Sequence, residues 1–409
     1  MSSLPAIADS PMPRGVECPS TAAPHLGTSI ARIVATQLVG AMFPLAAGLL
    51  LYGWRAAGAV ATVAISAGLA ASVWRRVGRR GEAIEIPAAM FAGLLLALLL
   101  PAHLFSAQTT ERGAAVWAIL PAAGFTLVML MWLLGGSGRI HPVLLTALTL
   151  VVLFQSSLVP QTVLQRTRLL VGDVLHAVTA PPAFGLQPWI DAPPVLDYDA
   201  IRRQSVSEQL TLYTLGLEQP DRAWLSMQSL IRDRLPPLED LIVAGQPGPI
   251  GCSSAVAVVV GGLFLLYRGV IDYRVPLLIM LGAWAAMLIL PVPIVITEQG
   301  PEWRWLAWRD SAATWAVAIT FANYEVLASP LLFAGFFLAT SPSIRPMSRR
   351  LRGVYAVFIG VVAAALQLYV SAATGPLVAV LAGGLLSPLL DRWWRGTGTL
   401  TCGLIGRST

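Results

Sequence analysis

The chain has 409 residues, 56% of them hydrophobic and only 12% charged, and a mean hydropathy of +0.71. Those values lie outside the range of water-soluble domains and exclude a soluble enzyme, because several stretches reach the roughly 20 apolar residues needed to cross a hydrocarbon core. The net charge of +6 comes from 27 basic residues, all arginine, that fall between the apolar runs. That placement reads as membrane orientation and argues against a nucleic-acid partner.

Residues 1–29, rich in Pro, Ser and Ala, hold no short apolar core followed by a cleavage site and are expected to form a disordered tail without a signal peptide. Residues 30–160 form a first membrane repeat with spans predicted at Ile30 to Tyr52, Ala56 to Trp74, Ile86 to Leu104, Ala114 to Leu134 and Val143 to Val159. Residues 161–252 are a polar insert. A second repeat over 253–391 has spans predicted at Ser253 to Tyr267, Pro276 to Ile296, Tyr324 to Thr340, Tyr355 to Ala372 and Gly375 to Leu390. The run from Ala312 to Thr340 is too long for one straight helix and reads as a surface or re-entrant segment leading into its span. Residues 392–409 are a tail. The fold class is thus an all-α integral membrane protein of about ten transmembrane helices.

Arginine placement sets the orientation. The cluster Arg75, Arg76, Arg79 and Arg80, the cluster Arg345, Arg349, Arg350 and Arg352, and Arg139, Arg268 and Arg274 all fall on one side if there are ten spans. Both termini are then cytoplasmic and the 161–252 insert is external, in the periplasm if the cell is a Gram-negative bacterium. Within the insert, Trp224, Met227, Leu230, Ile231 and Leu235 recur near helical spacing and predict an amphipathic helix on the membrane or on a partner. Trp303, Trp305 and Trp308 read as interfacial anchors on the same side.

The halves share sequence. Phe91-Ala92-Gly93-Leu94-Leu95-Leu96-Ala97 recurs as Phe333-Ala334-Gly335-Phe336-Phe337-Leu338-Ala339, and Gly48-Leu49-Leu50-Leu51-Tyr52 is echoed by Gly262-Leu263-Phe264-Leu265-Leu266-Tyr267. An odd number of spans per repeat makes the second half enter from the opposite side, giving two five-helix inverted repeats with a binding site expected between them.

Cys18, Cys252 and Cys402 and the four histidines are scattered, so no metal site is expected. The turn Gly135-Gly136-Ser137-Gly138-Arg139 permits close backbone approach, and Arg139 suits a phosphate; a tight cytoplasmic turn is the competing reading. The loop containing Gly248 and Gly251, followed by Ser253 and Ser254, presents backbone N–H groups before a helix, where an anion is favoured; a plain N-cap serine explains it equally. Thr340 and Pro342 mark a turn whose freed carbonyls could line a cavity, or a simple helix stop. Glu325, placed at the outer start of its span, is the candidate for an ion pathway, because a carboxylate inside a bundle is costly and usually functional.

Several of these stretches resemble the RnfD and NqrB membrane subunits of the Rnf and sodium-pumping NADH:quinone oxidoreductase complexes. The resemblance rests on Ala23-Pro24-His25 with Arg32-Ile33, on Leu235-Pro236-Pro237-Leu238-Glu239-Asp240-Leu241 with Gly245 and Gly248-Pro249-Ile250-Gly251-Cys252-Ser253-Ser254, on Phe336-Phe337-Leu338-Ala339-Thr340-Ser341-Pro342, and on Leu385-Leu386-Ser387-Pro388-Leu389-Leu390-Asp391. It implies flavin-mediated electron transfer coupled to movement of Na⁺ or H⁺ by a non-autonomous subunit, with other subunits of an Rnf/Nqr-like complex and the lipid bilayer as partners. The family's covalent FMN sits on the threonine of a Ser-Gly-Ala-Thr sequence, which is absent here, so FMN or riboflavin is expected to bind noncovalently if present. The alternatives are a small-solute transporter or channel of inverted-repeat fold, and a cofactor-less membrane scaffold subunit.

Overall fold

The computed structural model describes residues 30–77, 84–105, 118–134, 140–154, 158, 162–166, 200–204, 206–215, 224–243, 248–297, 300–305 and 312–405. In hydrocarbon every backbone polar group needs an internal partner, so the apolar runs close their hydrogen bonds locally as helices. These are α1 (Ile30–Tyr52), α2 (Trp54–Val77), α3 (Ile86–Leu98), α4 (Ile119–Leu133) and α5 (Pro142–Leu153), then, after the insert, α8 (Ala255–Tyr267), α9 (Arg274–Ile289), α10 (Ala312–Ala328), α11 (Leu331–Leu338), α12 (Arg349–Tyr369) and α13 (Gly375–Ile405). Two shorter helices, α6 (Val206–Thr214) and α7 (Leu238–Val243), belong to the insert. Among the described residues four helices are long and apolar enough to cross a membrane, or five if the pair α10 and α11, bent by 64° at Ser329 and Pro330, is one span. The chain is a multi-pass helical membrane protein.

α3, α4, α5, α8 and α9 are apolar but run only 12 to 16 residues. Their predicted spans are therefore longer than the helices. α3 ends at Leu98 and passes into a 3₁₀ turn, Ala102–Phe105, while α8 is preceded by another, Ile250–Cys252. The span predicted to Ile296 stops at Ile289, because Pro291 and Pro293 cannot continue a helix and the β-branched residues among them prefer a strand. That segment is β4 (Pro291–Thr297), which pairs antiparallel with β5 (Gly300–Trp305) and with β3 (Trp224–Ser226); Trp224 faces Thr297 and Pro291 faces Trp305 in the register. The predicted amphipathic helix of the insert accordingly begins as strand β3. A capping box between Ser226 and Ser229 then starts a helical turn that buries Met227 and Leu230 against the protein. A second hairpin pairs β1 (Thr162–Arg166) with β2 (Ala200–Gln204). The small sheets add to the helical architecture, and Val292 of β4 is buried in its core.

Close helix packing rests on glycine. α3 and α4 approach α2 at Gly93 and Gly124, where an added Cβ would lie 3.0 Å from Ala67 Cβ and 2.7 Å from the Ala67 backbone nitrogen. In the second half, Gly335 of α11 abuts Met280 of α9, and Gly282 and Gly360 bring α9 onto α12. The halves join where α1 meets α8, Gly40 lying against Leu265 and Gly261 against the Gly40 carbonyl. Positive φ occurs among the described residues only at Gly53 (61°) and Gly269 (68°). Each lets the chain turn directly after the first helix of its half: α2 starts one residue after α1, and Gly269 closes α8 by donating to Leu266 O while Val270 donates to Leu265 O.

Candidate functional site

The irregular segments at the end of α3 and the start of α8 pair with each other. Pro101 bridges Pro249, and Ile250 N donates to Leu100 O at 3.1 Å. Beside this junction the Tyr52 hydroxyl donates to Gly248 O (3.2 Å) and accepts from Gly248 N (3.0 Å), so the last residue of α1 fastens the loop across 196 positions of sequence. Gly251 is walled in: an added Cβ would sit 2.7 Å from Leu98 Cβ, 3.0 Å from Leu98 O and 3.1 Å from a ring carbon of Phe333. Ser253 Oγ donates to Ile250 O, and Ser254 Oγ donates to Val243 O while accepting from Ala257 N, which makes Ser254 the N-cap of α8. Within this loop Gly248 alone keeps an open side, with nothing within 4 Å of a Cβ built there. Of the two readings of this loop, the capping one is present in the geometry. Non-helical backbone so placed is tolerable because protein supplies its partners.

Thr340 and Pro342 lie at the far end of α11, apart from that loop. Thr340 is buried and its Oγ1 donates to Phe336 O at 2.6 Å; Pro342 is exposed. Carbonyls in and beside this turn are taken up: Ser341 N donates to Leu338 O, Tyr355 Oη to Ala339 O, Arg352 Nε to Pro346 O and Arg352 Nη2 to Met347 O. Arg352 Nη1 also pairs with Asp272 Oδ2 at 3.1 Å, and Asp391 accepts from Met347 N. Burial, and then the neighbouring Arg352 charge, hold the Arg345 guanidinium below its ordinary range, with Asp272 working in the opposite direction. The turn is thus a bonded helix stop held by α12 and α13, with Asp272, just before α9, pairing the same Arg352. Gly135, Gly136, Gly138 and Arg139 lie outside the described residues, as do the 1–29 tail, Trp308 and most of the insert.

Glu325 is placed differently from its predicted position. It lies three residues before the C-terminal end of α10, not at the outer start of a span, because the helix begins at Ala312 and breaks at Ser329. Its side chain is fully buried, and neither carboxylate oxygen has a hydrogen-bond partner among the described residues. Its backbone carbonyl, released by the break, accepts from Gln367 Nε2 of α12 at 3.3 Å, and the Gln367 Oε1 is itself buried and unpartnered. Gln367, Tyr52 and the Arg352–Asp272 pair are the residues that sequence reasoning missed. A lone amide in the apolar run Ala363 to Tyr369 was the available signal for Gln367; nothing local marks Tyr52, whose partner is distant. No cluster of three or more His, Cys, Asp or Glu able to hold a metal occurs among the described residues.

Residues 20–398 match the NQR2, RnfD, RnfE family. The D-type subunit of the ion-translocating oxidoreductase complex of Halorhodospira halophila is 25% identical over 383 residues, covering 92% of both chains. Shorter similarities link the chain to the D-type subunit of the Na⁺-translocating ferredoxin:NAD⁺ oxidoreductase complex of Acetobacterium woodii (25% over 150 residues; 36% of this chain and 38% of that protein). A third similarity is to the B-type subunit of the Na⁺-translocating NADH-quinone reductase of Chlamydia felis (28% over 148 residues; 35% and 27%). A match over nearly the whole length, with the Gly248–Ser254 loop and the Phe333 to Pro342 segment inside it, leads to one conclusion: this chain belongs to the NQR2, RnfD, RnfE family.

Proposed function

We propose that the protein is a membrane subunit of an ion-translocating electron-transport complex in the bacterial inner membrane, working with other subunits of an Rnf/Nqr-like assembly. The observation that carries this reading is the family match across residues 20–398, together with a relative of that description matched over 92% of both chains. The ion is Na⁺ or H⁺, and Glu325 is its handling residue within this subunit. In membrane vesicles, electron-donor oxidation should drive ion uptake, and deleting this chain should abolish it. Uptake that continues in the deletion strain would overturn the proposal.

The architecture we propose is ten spans in two inverted five-helix repeats, with both termini cytoplasmic and the insert external. Three observations support it. Gly93 and Gly335, equivalent in the repeated sequence, each abut the second helix of their own half; Gly53 and Gly269 end the first helix of each half with positive φ; and α1 packs on α8 while α5 packs on α13, like with like. Trp303 and Trp305, both more than 40% exposed on β5, suit an outer interface.

FMN or riboflavin, bound noncovalently, is the proposed cofactor. The described residues do not form its cradle by themselves: Gly251 is closed, the hydroxyls of Ser253, Ser254 and Thr340 are engaged, and only Gly248 has an open face. The Gly135–Arg139 turn therefore carries this part of the proposal, and no electron-transfer step is derived from the loop. Those engaged groups favour a cofactor-free scaffold as the second reading. Acid-released flavin at near one equivalent in the purified protein would support the first; a colourless, well-folded preparation that still copurifies with its redox partners would support the second.

A further inference from the structure

Glu325 and Gln367 present an imbalance of donors and acceptors. Among the described residues both Glu325 oxygens and Gln367 Oε1 are buried acceptors without a donor, while the pair's own donor, Gln367 Nε2, is committed to the Glu325 main chain. Buried polar groups lacking partners are expensive, and an ionised carboxylate far more so. The C-terminal end of α10 adds the negative end of a helix dipole beside the carboxyl, a further reason against ionisation.

A metal cation would need several oxygen ligands, and two of the carbonyls at the break are already engaged, Glu325 O by Gln367 and Val326 O by Ser329 Oγ. Among the described residues no cationic side chain answers the carboxylate either. The elements packed on α10 carry Glu208 and Tyr213 on α6 and Glu239 on α7, none paired with Glu325, and Arg274 stands on α9 roughly three helical turns before Trp284, which bonds Asn323 of α10. One proton supplies a missing donor, since a carboxyl O–H can donate to Gln367 Oε1, which leaves one carboxyl oxygen as the remaining acceptor.

We propose that Glu325 is a proton-carrying site, neutral at rest and hydrogen-bonded to Gln367, so that the ion handled here is H⁺ and not Na⁺. This rests on the reading of Glu325 as the ion-handling residue. On release, the proton leaves a carboxylate facing an amide oxygen, and a half-turn of the Gln367 amide replaces that oxygen with N–H donors, at the loss of its bond to Glu325 O. Gln367 is thus a positioning residue whose orientation follows the proton. The 64° bend four residues beyond Glu325 is the place where the surrounding backbone can yield.

Infrared spectroscopy of the complex in lipid vesicles tests this directly. Wild type at neutral pH should show a protonated-carboxyl carbonyl band that shifts in D2O, is lost in Glu325→Gln and is unchanged by adding Na⁺. Gln367→Leu should keep the band but move it to higher frequency, because the acceptor is gone; this second variant retains Glu325 and reads the contact without removing the carboxyl. Absence of the band in folded wild type, or its loss on adding Na⁺, would overturn the proposal. If the band behaves as expected and Glu325→Gln still transports ions at the wild-type rate, the ion-path reading fails while the protonated carboxyl stands.

Discussion

The Gly248–Ser254 loop and the Glu325–Gln367 pair are both polar features buried in an apolar bundle, and they differ in completeness. In the loop, side-chain hydroxyls and backbone groups find partners and glycine fills the closest approach. At Glu325, three buried oxygens on two side chains find none. A saturated polar network rigidifies a junction, whereas an unsatisfied one waits for something the polypeptide does not supply. The comparison therefore assigns the loop to holding the two halves together and supports the proposed role of Glu325, although the loop carries the more recognisable sequence.

Substitutions can break or sharpen that contrast, each read by thermal unfolding of the detergent-solubilised protein. The largest effect is expected for Gly251→Leu, which has to displace Leu98 backbone and Phe333; the overpacking should destabilise by about 3 kcal/mol or more, and a neutral result would mean the junction is looser than described. Tyr52→Phe removes a hydroxyl bonded twice to Gly248 and leaves a buried N–H and C=O unpaired, a loss of about 2 kcal/mol. Gly53→Ala forces a Cβ into the left-handed region and should cost about 1 kcal/mol, with Gly269→Ala matching it if the two turns are equivalent. Ser254→Ala removes the N-cap of α8 for about 1 kcal/mol. The smallest change belongs to Glu325→Gln: an isosteric amide can donate where the protonated acid did, so stability should stay within about 0.5 kcal/mol of wild type. A strongly destabilised Glu325→Gln would mean that the carboxyl is structural and would erase the distinction between the two regions.

The sequence was informative wherever a local signal decides structure. The hydropathy pattern located the helices, and α1 was bounded correctly at Ile30 and Tyr52, because a first helix flanked by a polar tail and a glycine has unambiguous ends. The family followed from ordered short motifs, and the repeat phrase Phe-Ala-Gly marked a glycine that meets the second helix in each half. The errors lie where a local apolar pattern is shared by different structures. Pro291 to Thr297 is as hydrophobic as a span yet pairs with β3 and β5, and the stripe beginning at Trp224 has helical spacing but opens as a strand because Thr297 is opposite it.

By itself, then, the sequence determined that this is a multi-pass helical membrane protein of a particular family, because both facts are written in periodicity, composition and short motifs. Tertiary structure alone decided that Tyr52 fastens a loop 196 residues away, that Gly251 is a packing residue, and that Glu325 lies buried near the end of a broken helix. The physical reason is the same in each case: whether a polar or small residue is satisfied depends on which distant atoms surround it, and a one-dimensional pattern records only its neighbours in the chain.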